Sequence, residues 1–164
     1  MPEIIIKPLA NEHCRQVINL VLPIQQIEFG APVTLEGQPD LLDLELNYYK
    51  TGGAFWGALN NDELVGTIAL ISTGHNAGVI RKMFVKKEYR GKEHGIGQRL
   101  LNGLFSYCSE KHISHLYLGT IDTFIAARRF YEKNGFMIIE KADLPHFFPF
   151  MPADNLFYHL NLNA

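Results

Sequence analysis

The stretch KKEYRGKEHGIGQ, Lys86 to Gln98, gathers the residues of this chain best suited to hold an anion. It follows an apolar run that ends at Val85 and leads into a segment whose Leu100, Leu101, Leu104, Phe105 and Cys108 recur at helical spacing. A glycine-rich turn at the start of a helix lets backbone N–H groups approach negative charge, and the helix dipole favours charge of that sign there. Gly95 and Gly97 remove the Cβ atoms that would hold an anion off, while Arg90 and Lys92 can add charge-assisted contacts. The physical reading is a phosphate cradle. Two familiar versions are disfavoured: GxxxxGK[ST] is absent, and a dinucleotide fingerprint would need a third glycine and a first-strand βαβ unit.

The elements that must position this loop are legible as alternating patterns. Glu3 to Leu9, with three consecutive isoleucines, reads as a strand. Asn11 then offers an N-cap for a helix with Val17, Leu20, Val21 and Ile24 on one face, and Pro23 should kink or end that helix. Pro39 and Asp40 start a second helix, Asp40 to Tyr49, that Gly52 and Gly53 stop. AFWGAL and LVGTIALIS flank the turn residues Asn60 to Asp62, a hairpin signal, and Val79 to Val85 adds a further strand. After the helix that begins at Gly97 come a strand, Ser114 to Thr120, a helix, Phe124 to Lys133, stopped by Asn134 and Gly135, and a strand, Phe136 to Lys141. Leu156 to Leu162 closes the chain with alternating polarity. The expectation is one α/β (α+β) domain over residues 1–164, with a mixed, mostly antiparallel sheet of six or seven strands, about four helices and the order β-α-α-β-β-β-α-β-α-β-β.

Composition bounds the partners. A chain of 164 residues with 47% apolar and 20% charged residues has the make-up of one folding unit with a full core. A formal net charge of -2 offers no basic field for nucleic acid. Cys14 and Cys108 lie far apart and form no CxxC pair, so they read as free thiols of a reducing compartment. The first residues, MPEIIIKPLA, have the pattern of neither a secretory signal nor a membrane span, so the expected location is the cytoplasm and no membrane partner is expected. His112 and His115 straddle a helix end and a strand, and no metal site is expected.

MFVKKEYRGKEHGIGQRLL and AARRFYEKNGF together resemble the GNAT superfamily of N-acetyltransferases, the first its strand, pyrophosphate loop and helix, the second its next helix and turn. The resemblance covers nearly the whole chain at the level of fold and residues 79 to 137 closely. It implies acetyl-CoA as co-substrate: Met83, Phe84 and Val85 would present backbone groups to the pantetheine arm, and His94, Gly95, Ile96, Gly97 and Gln98 would present amides to the pyrophosphate. Arg90, Gly91 and Lys92 complete the loop, and Ala127, Phe130 and Lys133 fall at the matching face of the following helix. The sequence departs from the family at two places. Glu93 and His94 lengthen the loop, leaving open whether Arg90 or Lys92 meets the phosphates, and Phe124 stands where the family often has a cofactor-holding asparagine.

An amine attacking a thioester must be neutral, and the departing thiolate is helped by a proton donor within hydrogen-bond reach. The resemblance implies Tyr131 as that donor, the alternative being an aromatic packing residue with its hydroxyl tied to backbone. Three residues compete as base or acceptor-binding group: Glu28 after the first helix, and His146 and Asp154 in the aromatic segment LPHFFPFMPADNLFY. Phe148, with Phe147, Phe150, Phe157, Tyr48, Tyr49, Phe55 and Trp56, would wall an acceptor pocket or else form core, and Cys108 on its apolar helix face reads as core. The expected activity is acetyl transfer to a primary amine of a small molecule by direct attack in a ternary complex. The alternatives are a sensory module that binds acetyl-CoA without turnover, or a protein or peptide N-acetyltransferase. The family's habits and the aromatic tail suggest a homodimer.

Overall fold

In the computed structural model, which describes residues 3–163, seven strands form one sheet with helices on both faces. Strand β1 (Ile4–Pro8) is followed by helix α1 (Cys14–Pro23), then by β2 (Ala54–Asn60), β3 (Glu63–Gly74), β4 (Ala77–Val85), helix α2 (Ile96–Glu110), β5 (His115–Thr120), helix α3 (Ile125–Lys133), β6 (Met137–Ile139) and β7 (Leu156–Asn161). Spatial order is β1-β2-β3-β4-β5-β7-β6, and every neighbouring pair is antiparallel except β4 with β5. The expected mixed, mostly antiparallel α/β sheet is present, with its strands and the helices α1, α2 and α3 in the expected order.

The strands β2 and β3 are nearly continuous in apolar residues because both faces are covered. Trp56, Ala58, Val65 and Ile68 pack under Leu100, Leu101, Leu104 and Cys108 of α2. Phe55, Leu59, Leu64 and Ala69 point the other way, onto Val17, Leu20 and Val21 of α1 and onto Leu41, Leu44 and Tyr48. Each fully buried leucine of this kind contributes roughly 1.5–3 kcal/mol, so α2 is fixed by its apolar stripe. Tyr48, Phe55 and Trp56 are thereby core residues.

Three local expectations differ from the structure, each for a reason visible in side chains. The helix expected over Asp40 to Tyr49 is split into a 3-10 turn, Pro39–Leu42, and a π-helical turn, Glu45–Tyr49. Asp43 divides them: its backbone is extended (φ -153°, ψ 90°) and its Oδ1 accepts the Leu46 N–H at 2.9 Å, as an N-cap aspartate does. Asn11 does not cap α1. It opens a 3-10 turn, Asn11–His13, while its side chain accepts the Glu45 N–H at 3.1 Å and donates to Asp43 at 2.9 Å. The strand expected over Phe136 to Lys141 is confined to Met137–Ile139, because a 3-10 turn follows at Lys141–Asp143. Pro23 does end α1, and a π-helical turn, Ile24–Glu28, continues from it.

The feature that positions a site is the parting of β4 and β5. They pair only from Ala77 with His115 to Val79 with Tyr117. Beyond that point β4 stays with β3 as far as Val85, and β5 stays with β7 as far as Thr120. The sheet therefore opens into a wedge between its two parallel strands.

Candidate functional site

One side of the wedge is closed by α2 and α3. Gly97 lies in the first turn of α2, and a Cβ placed on it would sit 3.4 Å from Met83 Cε and 3.7 Å from the Phe130 ring. Residues of β4, α2 and α3 thus meet at one point. Gly95 supplies the N-cap in the left-handed conformation (φ 61°) and no side chain caps the helix, so the N–H groups of Ile96, Gly97 and Gln98 carry no intrahelical partner and face outward. The amides of His94 and Gly95 are engaged differently: both donate to the Gly91 carbonyl, at 3.3 and 3.2 Å. Glu93 and His94 are taken up in that closed turn. The Gln98 side chain, for its part, bridges Asn102 and Asn134, each at 2.9 Å, and locks α2 to the end of α3.

Of the two basic loop residues, Arg90 is committed within the protein. Its Nε donates to the Val85 carbonyl at 2.8 Å, and its guanidinium grips Glu28 with both nitrogens, Nη2 to Oε1 at 2.8 Å and Nη1 to Oε2. That bond holds the Glu28 carboxyl below the usual range, against a smaller opposing effect of burial. Lys92 is exposed, has no carboxylate in salt-bridge range among the described residues, and stands beside the α2 start; Lys133 and Ala127 lie on α3. Phe124 packs at a tilt of 34° on Phe29, 4.7 Å between ring centres, with Arg90 over Phe29 at 6.0 Å.

Tyr131 is 6% exposed and packs against Phe136 and Tyr158, at 5.5 and 6.1 Å between ring centres. Its hydroxyl makes no hydrogen bond to the described residues, yet it is not a sealed, unsatisfied group. Burial pushes its pKa well above the ordinary tyrosine value, so the proton is retained.

The other face of the wedge carries charge. Lys82 has a left-handed backbone (φ 54°) in mid-strand, where the register of β3 with β4 slips, and Thr67 Oγ1 donates to its carbonyl at 2.7 Å. Its buried ammonium donates to Gln38 and lies 3.6 Å from Asp40, whose Oδ2 accepts the Tyr48 hydroxyl at 2.5 Å. Arg81 beside it donates to the Pro149 carbonyl at 2.6 Å. In the loop before β7, Asp154 is pressed against Gly119 of the facing strand β5, where a Cβ would come within 2.4 Å of its Oδ2, and burial raises its pKa. Sequence reading passed over Arg81 and Lys82. The available signal was a pair of adjacent cations inside an apolar strand, which simple alternation cannot place on one face.

The remaining candidates lie apart from the wedge. His146 is exposed and neighbours His75 at the β3–β4 turn, the end where β4 and β5 are still paired. Phe148 is buried with Val79, Leu144 and Phe157 and serves as core. Cys108 is buried in the α2 face, where desolvation pushes its thiol up to about 12. Among the described residues there is no cluster of three or more His, Cys, Asp or Glu placed to hold a metal, and no helix long and apolar enough to cross a membrane.

Comparison with known proteins places this geometry in context. Residues 19–136 match the family described as "Acetyltransferase (GNAT) family". A GNAT-family acetyltransferase structure from Staphylococcus aureus is 42% identical, superposes with a TM-score of 0.93 and covers 98% of this chain and 99% of its own. The N-acetylaspartate synthetase of Xenopus tropicalis is 35% identical over 99 residues, which are 59% of this chain; the match spans only 36% of that relative's length. The PaiA N-acetyltransferase of Thermoplasma acidophilum, solved with coenzyme A, shares the fold at 20% identity, with a TM-score of 0.73 over 97% of this chain and 99% of its own.

Proposed function

The chain belongs to the GNAT family of acetyltransferases, and on that premise we propose that it moves an acetyl group from acetyl-CoA to the primary amine of a small molecule by direct attack in a ternary complex. The observation that carries this reading is the wedge itself, with an uncapped helix start on one side and charged side chains on the other. A two-sided opening suits two substrates that meet in the middle.

The loop residues fit a pyrophosphate by their own chemistry: open amides at Ile96, Gly97 and Gln98, no Cβ at Gly95 or Gly97, and an uncommitted cation at Lys92. Met83, Phe84 and Val85 border the place where a pantetheine arm would run, beside Phe130, Ala127 and Lys133 on α3. Acetyl-CoA would supply the activated acyl group. Tyr131 holds its proton near the wedge and donates it to the departing sulfur; its hydroxyl, with no hydrogen bond to the described residues, is free to face that atom. Asp154, with its pKa raised by burial and its carboxylate unbonded among the described residues, accepts the amine's proton better than Glu28, which Arg90 holds in its weakly basic form. His146 lies too near the paired end of β4 for that task. Glu28 and Arg90 instead tie the turn after α1 to the end of β4.

The N-acetylaspartate synthetase relative supports a small acceptor over a protein terminus. The exposed Met137 and Ile138 on the edge strand β6, 73% and 53% exposed, support a homodimer that covers them, and we keep the cytoplasm as the location. Calorimetric titration with acetyl-CoA followed by a thiol-release assay against a panel of amines tests the reading. Binding with release for one class of amine is expected; binding without release from any amine would turn the protein into a sensory module, and no binding would end the proposal. A monomeric mass by light scattering would remove the dimer.

A further inference from the structure

Arg81 and Lys82 stand side by side on β4 and both reach the α1 side of the sheet, because the left-handed turn of the chain at Lys82 breaks the alternation of the strand. Their situations differ. The Lys82 ammonium is satisfied by Gln38 and Asp40. Arg81 spends one N–H on the Pro149 carbonyl, has no carboxylate in salt-bridge range among the described residues, and keeps most of its fork of donors unengaged. Two residues on from the last pair of the parallel strands, Val79 with Tyr117, Arg81 stands level with Gly119 across the wedge.

Across the wedge, Asp154 occupies the space that the missing side chain of Gly119 leaves on β5. No N–H or O–H of the described residues donates to its carboxylate, and no cation of the described residues lies within salt-bridge range of it. A guanidinium and a carboxylate that face one opening without neutralising each other in contact are complementary to a molecule carrying both charges. Guanidinium matches a carboxylate in a planar, two-point geometry that a point charge cannot supply.

We propose that the acceptor is an amino acid, its carboxylate held by Arg81 with Lys82 beside it and its amine directed at Asp154. The inference rests on the reading of the wedge as an acetyl-transfer site and adds to it the acceptor class and the residue that selects it. Acetyl transfer then forms one N–C bond as the C–S bond breaks; the amine proton passes to Asp154 and the sulfur takes a proton from Tyr131.

The experiment uses the whole chain, acetyl-CoA, and matched acceptors with and without a carboxylate: L-aspartate, L-alanine, L-alaninamide and putrescine. Thiol release is expected with a free acid, with kcat/KM at least about tenfold above that for its carboxylate-free counterpart. Arg81→Gln should raise KM for the acid about ten- to a hundredfold while the calorimetric affinity for acetyl-CoA is retained, and Arg81→Lys should recover part of the loss. Equal use of L-alanine and L-alaninamide, release with putrescine alone, or an Arg81→Gln protein with unchanged KM would each overturn the assignment. Wild-type protein that binds acetyl-CoA but releases no thiol with either free acid would overturn it too, leaving the coenzyme site standing. Wild-type protein that fails to bind acetyl-CoA would bring down the underlying reading before any acceptor is added.

Discussion

Replacing Tyr131 by Phe separates a chemical role for its hydroxyl from a structural one. The ring packs on Phe130, Phe136 and Tyr158, with centre distances of 5.6, 5.5 and 6.1 Å, and phenylalanine retains all of that contact. The hydroxyl itself makes no hydrogen bond to the described residues, so its removal breaks none, and the stability change should stay below about 1 kcal/mol. For a domain of this size that is a shift in Tm of no more than about 2–4 °C. Turnover should fall far more. Loss of a positioned general acid costs on the order of a hundredfold or greater, equivalent to about 2.7 kcal/mol of barrier. Tyr158→Phe is the matched control: its hydroxyl donates to Glu132 Oε2 at 2.6 Å, so that variant should lose about 1 kcal/mol of stability, with the pair's exposure discounted, and little activity. Thiol release at saturating acetyl-CoA, calorimetric affinity and thermal melts measured on both variants decide the matter. If Tyr131→Phe turns over within threefold of the wild type, or melts lower than Tyr158→Phe, the hydroxyl is structural and the mechanism proposed for it is wrong.

Other consequences are as direct. Arg90 lowers the Glu28 pKa, so the pair's stabilisation is present above about pH 4.5 and lost as pH falls through the lower folded value; Glu28→Gln should cost about 0.5–1 kcal/mol at pH 7, and its melting deficit should close in acid. A deficit that persists in acid would refute the ion pair, and a collapse of turnover in the same variant would return Glu28 to the candidates for base. Gly119→Ala places a Cβ 2.4 Å from Asp154 Oδ2 and must displace that carboxylate, so kcat/KM for the acceptor should drop about tenfold or more with acetyl-CoA affinity kept; an unaffected acceptor constant would exclude Asp154 from the site. In the native protein a disulfide-exchange reagent should titrate Cys14 and leave Cys108 untouched until denaturant is added, and rapid native reaction of both would contradict the burial of Cys108.

The parts of this molecule that were legible in the sequence are those written in local periodicity. The α2 stripe, the buried strands β2 and β3 and the glycine turn before α2 announce themselves within a dozen residues. The parts that were not depend on partners remote in the chain. Glu28 and Arg90 each invited a separate role, and their bidentate pairing across 62 residues engages both. Asp43 looked like an ordinary helical position, yet its carboxylate caps the Leu46 N–H and is held by Asn11, which breaks the helix expected there. Nothing in IRKMFV announces a left-handed residue at Lys82, a conformation usually left to glycine or asparagine, and the strand slips there because Thr67, Gln38 and Asp40 secure it from other segments.

The two departures from the family's pattern therefore act on different things. Glu93 and His94 are absorbed where they occur: the amides of His94 and Gly95 close on the Gly91 carbonyl, and α2 still begins with the bare N–H groups that a pyrophosphate requires. A loop can lengthen cheaply when its extra residues satisfy one another, because closure entropy grows only slowly with length. Phe124 has the opposite character. Where an asparagine would offer an amide to a ligand, Phe124 offers a ring to Phe29, and Arg90 lies over that same Phe29 while gripping Glu28. The turn after α1 is thus joined to the start of α3 by an aromatic contact and to the loop after β4 by an ion pair. If the wedge takes two substrates as proposed, this contact would stand between them, and substitution at Phe124 should change acceptor fit more than coenzyme affinity.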